Sequence, residues 1–160
     1  MPKSNIDLLE IDLEKVLELL NKAYADEWIA FFQYRTIVNL ANGSRSFKFA
    51  EKVEEIADEE LEHMEEVAER IAQLEGKVIL DFTELNKKAN CKYDKDFPED
   101  DNDLESMANM ILDAEHCAIE VYDELMKATK DKDVVTYNLA LHILEEEVDH
   151  ETQIKQFLGK

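Results

Sequence analysis

Two short stretches of the chain place the same pair of side chains at the same spacing. EELEH, residues 59–63, and EEVDH, residues 146–150, both contain Glu-x-x-His. Residues three apart in a helix share a face, so the carboxylate and the imidazole point the same way. An oxygen donor beside a nitrogen donor can hold a metal ion. One such motif means little in a chain this rich in glutamate, and a lone buried histidine is more often a hydrogen-bonded core residue than a ligand. His116 and His142 have Asp113 and Leu139 at the same offset and read as structural. The two motifs become a site only if the elements carrying them bring them together.

Periodicity supplies those elements. Helices are expected near 11–41, 46–75, 103–129 and 133–158, with Gly43 and Gly76 as punctuation and Asp103 as an N-cap. Short turns join the first helix to the second and the third to the fourth, which makes each pair antiparallel. Residues 77–102, with Pro98 and little helical periodicity, form a long connection between the hairpins. The expected fold is all-α: a four-helix bundle whose long crossover lies between helices two and three, in one domain spanning 1–160.

Spacings of four and three trace one buried stripe on each helix. The first carries Leu20, Tyr24, Glu27, Phe31, Tyr34 and Val38, and the second Phe49, Val53, Ile56, Glu60, His63 and Val67. The third carries Leu104, Ala108, Ile111, Glu115, Ala118, Tyr122 and Leu125, and the fourth Ala140, Ile143, Glu147, His150, Ile154 and Phe157. Each stripe is interrupted at mid-length by one glutamate. Glu27 and Glu60 are equally far from the turn at Gly43, and Glu115 and Glu147 from the turn near 131. Each lies about 16 residues, or ~24 Å of helix, from its turn. Antiparallel pairing therefore sets all four at one height. Tyr34 and Tyr122 follow Glu27 and Glu115 at equal spacing, so the hairpins read as a weak internal repeat.

Four carboxylates in one buried layer repel each other and lose hydration, and no Lys or Arg lies on the stripes near them. Two divalent cations would balance them. Four Glu and two His are mixed oxygen and nitrogen donors, which suit iron or manganese better than calcium. No cysteine lies on the seam to make a thiolate zinc site.

The rest of the composition sets limits. The net charge of −21 excludes sequence-independent DNA binding, which needs many cations against phosphates, and suits a surface or cavity that gathers metal ions. The first residues, MPKSNIDLLE, lack the apolar core of a signal peptide, and no stretch approaches the ~20 apolar residues of a membrane span. Two cysteines make no secreted disulfide framework. A cytoplasmic location is expected, with no membrane and no nucleic acid as partner.

Over most of its length the chain resembles the ferritin superfamily. AYADEWIAFFQYR, ADEELEHMEEVAERIAQLEG and HILEEEVDHE are similar to the helices of bacterioferritins. That resemblance implies a di-iron carboxylate centre within one chain. Glu27 and Glu115 would be its terminal carboxylates, Glu60 and Glu147 the bridges, and His63 and His150 the nitrogen ligands, with Tyr34 as a redox neighbour. It implies two iron ions per subunit, with manganese as the other candidate metal. Leu61 stands where bacterioferritins carry a haem-ligating Met, so no haem is expected. The chain ends at FLGK, without room for the fifth helix of larger ferritins.

LDAEHCAIE and the upstream NCKYDKDFPE resemble Dps-like proteins with a thioferritin motif. This implies a dodecameric shell that oxidises Fe(II) with hydrogen peroxide or dioxygen, stores the ferric product, and protects against oxidative stress. MPKSNID offers one Lys, not the Lys-rich tail with which some Dps proteins bind DNA. Composition alone reads Cys91 and Cys117 as separate buried thiols. The resemblance instead joins them as a disulfide between crossover and third helix. The rival reading is another di-metal enzyme, such as a manganese catalase or a rubrerythrin-like peroxidase. Two cysteines cannot supply the four-cysteine module that rubrerythrins usually add.

Overall fold

A computed structural model describes residues 3–160. Four long helices carry the fold: α1 (Leu13–Leu40), α2 (Ser46–Gln73), α4 (Leu104–Thr129) and α5 (Val134–Leu158), with a one-turn helix α3 (Leu85–Lys88) inside the crossover. Among the described residues there is no strand, and no helix is long and apolar enough to cross a membrane. Three long helices start on an aspartate whose carboxylate accepts an exposed first-turn amide. Asp12 accepts from Lys15, Asp103 from Ser106 and Asp133 from Thr136. Helix α2 has no such cap; the tight turn at Gly43 starts it, with Ser46 hydrogen-bonded back to the Gly43 carbonyl.

Glycine acts differently at the two turns. Gly43 has φ of +95°, a backbone conformation that L side chains avoid. At the end of α2 the left-handed residue is Glu75, at φ 57°. Gly76 is needed there for space: a Cβ would sit 2.5 Å from Leu17 Cδ2.

The crossover reverses the second hairpin against the first. The Asn42 amide at the end of α1 donates to the Asp101 carbonyl just before α4, and Arg70 near the end of α2 meets Asp133 at the start of α5. Hence α1 lies antiparallel to α4, and α2 to α5. The connection is more ordered than its sequence suggests. It contains a 3-10 turn (Phe82–Glu84) and α3, and Leu85 and Ala89 pack with Ala25 against the outer side of α1. Helix α1 consequently buries two faces, which explains the burial of its off-stripe Asp26 and Gln33.

The core is cut in two. One apolar cluster holds Ile37, Phe49, Val53, Ile56, Met107 and Ile111, and the other Leu20, Val67, Ile71, Leu125, Ala140 and Ile143. Each fully buried Leu, Ile or Phe contributes about 1.5–3 kcal/mol of hydrophobic stabilisation. Between the clusters lie Glu27, Glu60, Glu115 and Glu147, all at most 2% exposed.

Candidate metal centre

All six residues singled out on the stripes meet in this layer. Glu27, Glu60, His63 and Glu147 each offer one donor atom to a group no more than 4.8 Å across. Glu60, Glu115, Glu147 and His150 form a second such group. The groups share Glu60 and Glu147, so two cations placed in them would be bridged by those two carboxylates. The histidine rings lie 6.0 Å apart. His63 Nδ1 is 3.1 Å from Glu147 Oε1, and His150 Nδ1 is 3.3 Å from Glu60 Oε1.

The donor set is under-satisfied. Glu60 Oε1, Glu115 Oε2, both Glu147 oxygens and both histidine Nδ1 atoms are buried without a hydrogen-bond partner. A buried polar atom left unpaired costs about 1–3 kcal/mol, more if charged, and native interiors rarely contain six together. The orphans are clustered, and they are oxygen and imidazole nitrogen. That chemistry fits two divalent first-row cations.

Protons are the other way to balance the layer. Burial, then repulsion from Glu60, pushes Glu27 well above the usual carboxylate range. Burial, then Glu147 and Glu60, does the same to Glu115. Glu60 is held low in spite of burial by His150 and His63. Glu147 is likewise held low against burial and the Glu60 charge. Burial opposes charge on the imidazoles, but the surrounding glutamates outweigh it and push both upward. Ionised central carboxylates with protonated partners make a neutral layer, and divalent cations would displace those protons.

Two residues the stripes did not reveal complete the arrangement. His63 Nε2 lies 2.6 Å from Glu146 Oε2, and His150 Nε2 lies 2.6 Å from Glu59 Oε2. Each histidine of one helix is thus held by a carboxylate of the facing helix. An Nε2–H donated to that carboxylate leaves Nδ1 facing the cluster, where its lone pair becomes available to a cation that displaces its proton. The signal was the doubled glutamate of EELEH and EEVDH: the second Glu enters the layer, and the one before it reaches across to the partner's imidazole.

The tyrosines obey the same exchange. Tyr34 of α1 donates to Glu115 Oε1 of α4 at 2.7 Å, and Tyr122 of α4 donates to Glu27 of α1. Burial, then the adjacent glutamate, raises both phenols above their usual range, so both stay donors. Tyr34 and Tyr122 are equivalent by position, and Tyr122 is as close to the site as the Tyr34 predicted for it. His116 and His142 lie outside both groups: His116 meets Glu151 at 2.7 Å, and His142 stands 3.6 Å from Glu66 and Glu146. Cys91 and Cys117 form a disulfide with Cα atoms 5.8 Å apart. Neither belongs to the donor groups.

Comparison with known proteins agrees with this geometry. The ferritin-like domain family matches residues 17–160. A DNA protection during starvation protein of Pyrococcus furiosus is 38% identical over 99% of this chain and 86% of its own length. A bacterioferritin of Desulfovibrio desulfuricans is 31% identical over 86% of this chain and 71% of its own. Among solved structures, the bacterioferritin-related protein of Bacteroides fragilis, described as a dodecameric thioferritin, superposes with a TM-score of 0.91 at 33% identity, covering 96% of this chain and 91% of that one. Dps of Thermosynechococcus elongatus shares the fold, with a TM-score of 0.85 at 20% identity over 92% of each chain. The chain therefore belongs to the ferritin-like family, with Dps proteins and a bacterioferritin-related thioferritin among its relatives.

Proposed function

We propose that this protein oxidises Fe(II) at a two-metal centre inside each subunit and stores the ferric product in a closed shell. The observation that carries the reading is the pair of donor groups sharing Glu60 and Glu147, with their orphaned oxygens and imidazole nitrogens. Glu27 and Glu115 act as terminal carboxylates, Glu60 and Glu147 as bridges, and His63 and His150 as nitrogen ligands. Glu59 and Glu146 fix the imidazole tautomers, while Tyr34 and Tyr122 orient the terminal carboxylates. Iron is the substrate: each bound pair of Fe(II) supplies electrons to hydrogen peroxide or dioxygen. The chain's own contribution is to hold two cations at one dry, carboxylate-rich site and to release to solvent the protons that their binding displaces.

A dodecameric shell is supported by the thioferritin of Bacteroides fragilis, which carries that description. The net charge of −21 favours collection of cations and disfavours DNA as a partner. The location proposed is the cytoplasm. The test is Fe(II) titration of metal-stripped protein with peroxide and with dioxygen separately, counting iron retained. Retention far beyond two ions per chain supports storage. Uptake that stops at two points instead to a di-metal enzyme that merely turns over.

A further inference from the structure

The chain carries 39 acidic side chains against 18 basic ones, yet one groove reverses that balance. It encloses about 850 Å³ between α1 and the crossover, where Lys22, Lys77, Lys87, Lys88 and Lys92 face only three carboxylates, Glu18, Asp81 and Glu84. Two of the lysines are neutralised where they stand: Lys22 pairs with Glu18 at 3.2 Å and Lys87 with Glu84 at 2.8 Å. Asp81 accepts from the amide and hydroxyl of Thr83. Lys77, Lys88 and Lys92 form no ion pair among the described residues. Lys92 is fixed nonetheless. Its ammonium donates to the Asn86 and Lys87 carbonyls at 2.9 and 2.8 Å, at the end of α3, which leaves one of its three N–H donors over. Residues 77–81 run along the groove in neither helix nor strand. The Asn21 side chain of α1 donates to the Lys77 carbonyl at 3.0 Å and anchors them. Their own amides donate to no acceptor among the described residues. Leu80, 83% exposed, adds an apolar edge. The groove thus presents positive charge and N–H donors that the chain does not itself use.

We propose that this groove binds a small anion bearing a diphosphate group, with Lys77, Lys88 and Lys92 on its oxygens. Every cation in the lining is a lysine and none is an arginine. A planar guanidinium fork matches a carboxylate, whereas compact ammonium groups serve phosphate oxygens as point charges. Three unpaired ammonium groups match the several charges that a diphosphate carries on adjacent phosphoryl groups. The volume lies within the range of about 300–1,000 Å³ that small-molecule sites occupy. The ligand is small for an electrostatic reason. At physiological salt a charge is screened over about 8 Å, so an anion seated in the groove meets mainly the lysines. A long polyanion such as duplex DNA would also meet the acidic remainder of the chain. The diphosphate can arrive free, as inorganic pyrophosphate, or within a nucleoside diphosphate whose base lies against Leu80. None of these residues belongs to the metal donor groups, so the site stands apart from the two-metal reading.

The test is calorimetric titration of metal-stripped full-length protein, in phosphate-free buffer at physiological salt, with pyrophosphate, ADP and citrate in turn. Lys77→Gln and Lys88→Gln each remove one exposed ammonium from the groove, and Lys130→Gln removes the same charge from an exposed position outside it. One pyrophosphate or one ADP should bind per chain. Each groove substitution should weaken binding roughly tenfold, the worth of one hydrogen bond to a charged group, and Lys130→Gln should leave it unchanged. Tighter binding of ADP than of pyrophosphate makes a nucleotide the source of the diphosphate, and equal or weaker binding makes it the inorganic anion; either result upholds the site. Binding of neither, the same loss in Lys130→Gln as in the groove variants, or citrate held as tightly as pyrophosphate overturns it.

Discussion

Two clusters of buried charge both involve α2 and the α5 segment with its Asp133 cap, the larger drawing on α1 and α4 as well, and they are built on opposite principles. Near the end of α2, Arg70 is 4% exposed and Asp133 1%. The Arg70 guanidinium donates to both Asp133 oxygens at 3.0 and 3.1 Å, and its Nε donates to Thr136 Oγ1 at 2.8 Å. Every charge there has a partner supplied by the chain. About 10 Å further along the axis, seven residues at 1.5 Å each, the Glu and His layer leaves its inward-facing atoms unpaired. Both clusters carry buried ions, so burial alone does not mark a site. What separates them is whether the protein itself completes the hydrogen bonds.

The sharpest way to break this contrast is to remove a bridging carboxylate. Glu60→Ala and Glu147→Ala should each abolish fast Fe(II) oxidation, because each glutamate belongs to both donor groups. Folding stability without metal should change little, because the imidazole proton that balances the lost carboxylate leaves with it. Wild-type oxidation by either variant, measured by stopped-flow absorbance, would sink the ligand assignment.

Arg70→Ala should give the reverse pattern. It leaves Asp133 buried and uncompensated, a loss of about 3–5 kcal/mol that urea unfolding would show directly. Oxidation per folded chain should be untouched. A variant that is as stable as wild type but slow to oxidise iron would mean that the two clusters are coupled and the contrast is false.

The sequence read these clusters unequally, for physical reasons. The layer was legible because a helix repeats its face every three to four residues, and a Glu in mid-stripe stands out against apolar neighbours. Counting from the turns even set the four glutamates at one height. Arg70 lies just past the last stripe residue considered, Val67, and nothing local announces that its partner comes from the start of another helix. Glu59 and Glu146 were hidden for a related reason. They sit off the stripe among many solvated glutamates, and only the facing helix gives them an imidazole to hold. Asp26 and Gln33 look like surface residues until the crossover is laid over α1. The order within the crossover was invisible, since α3 is held by contacts with α1 and not by any periodicity of its own. The Cys91–Cys117 pairing came from family resemblance, and the disulfide is present.

A smaller effect tests the symmetry within the metal layer. Glu59→Gln and Glu146→Gln keep size and hydrogen-bonding capacity but remove the charge that orients each imidazole. Each should weaken Co(II) binding by about 10–100-fold, the usual cost of losing such an outer partner. The losses should match in size, because His63–Glu146 and His150–Glu59 are both 2.6 Å pairs. Of these two carboxylates Glu146 also has His142 beside it, at 3.6 Å. A much smaller loss at Glu146 than at Glu59 would show that the orientation of His63 does not depend on the Glu146 charge, and calorimetric titration of the two variants separates these outcomes.

The smallest expected effect concerns pH and the self-satisfied cluster. Burial works to raise the Asp133 carboxyl, but the Thr136 hydroxyl and amide, with Arg70, hold it below the ordinary value. A carboxylate that is depressed in the folded state adds stability above its unfolded pKa, and that contribution is lost as pH falls through the folded value. Asp133→Asn removes the charge yet keeps an N-cap acceptor for the Thr136 amide, so the comparison isolates ionisation from capping. Wild type should therefore be the more stable near neutrality, and the gap should narrow once the pH drops below the usual Asp range. Carboxylates elsewhere, including the metal layer, titrate in both proteins and cancel in the difference. Denaturant midpoints at fixed salt from pH 7 down to pH 3 give the curve. A gap that stays constant to the acid end would show that Arg70 is satisfied by hydrogen bonds alone, and the contrast between the clusters would then rest on geometry and not on charge.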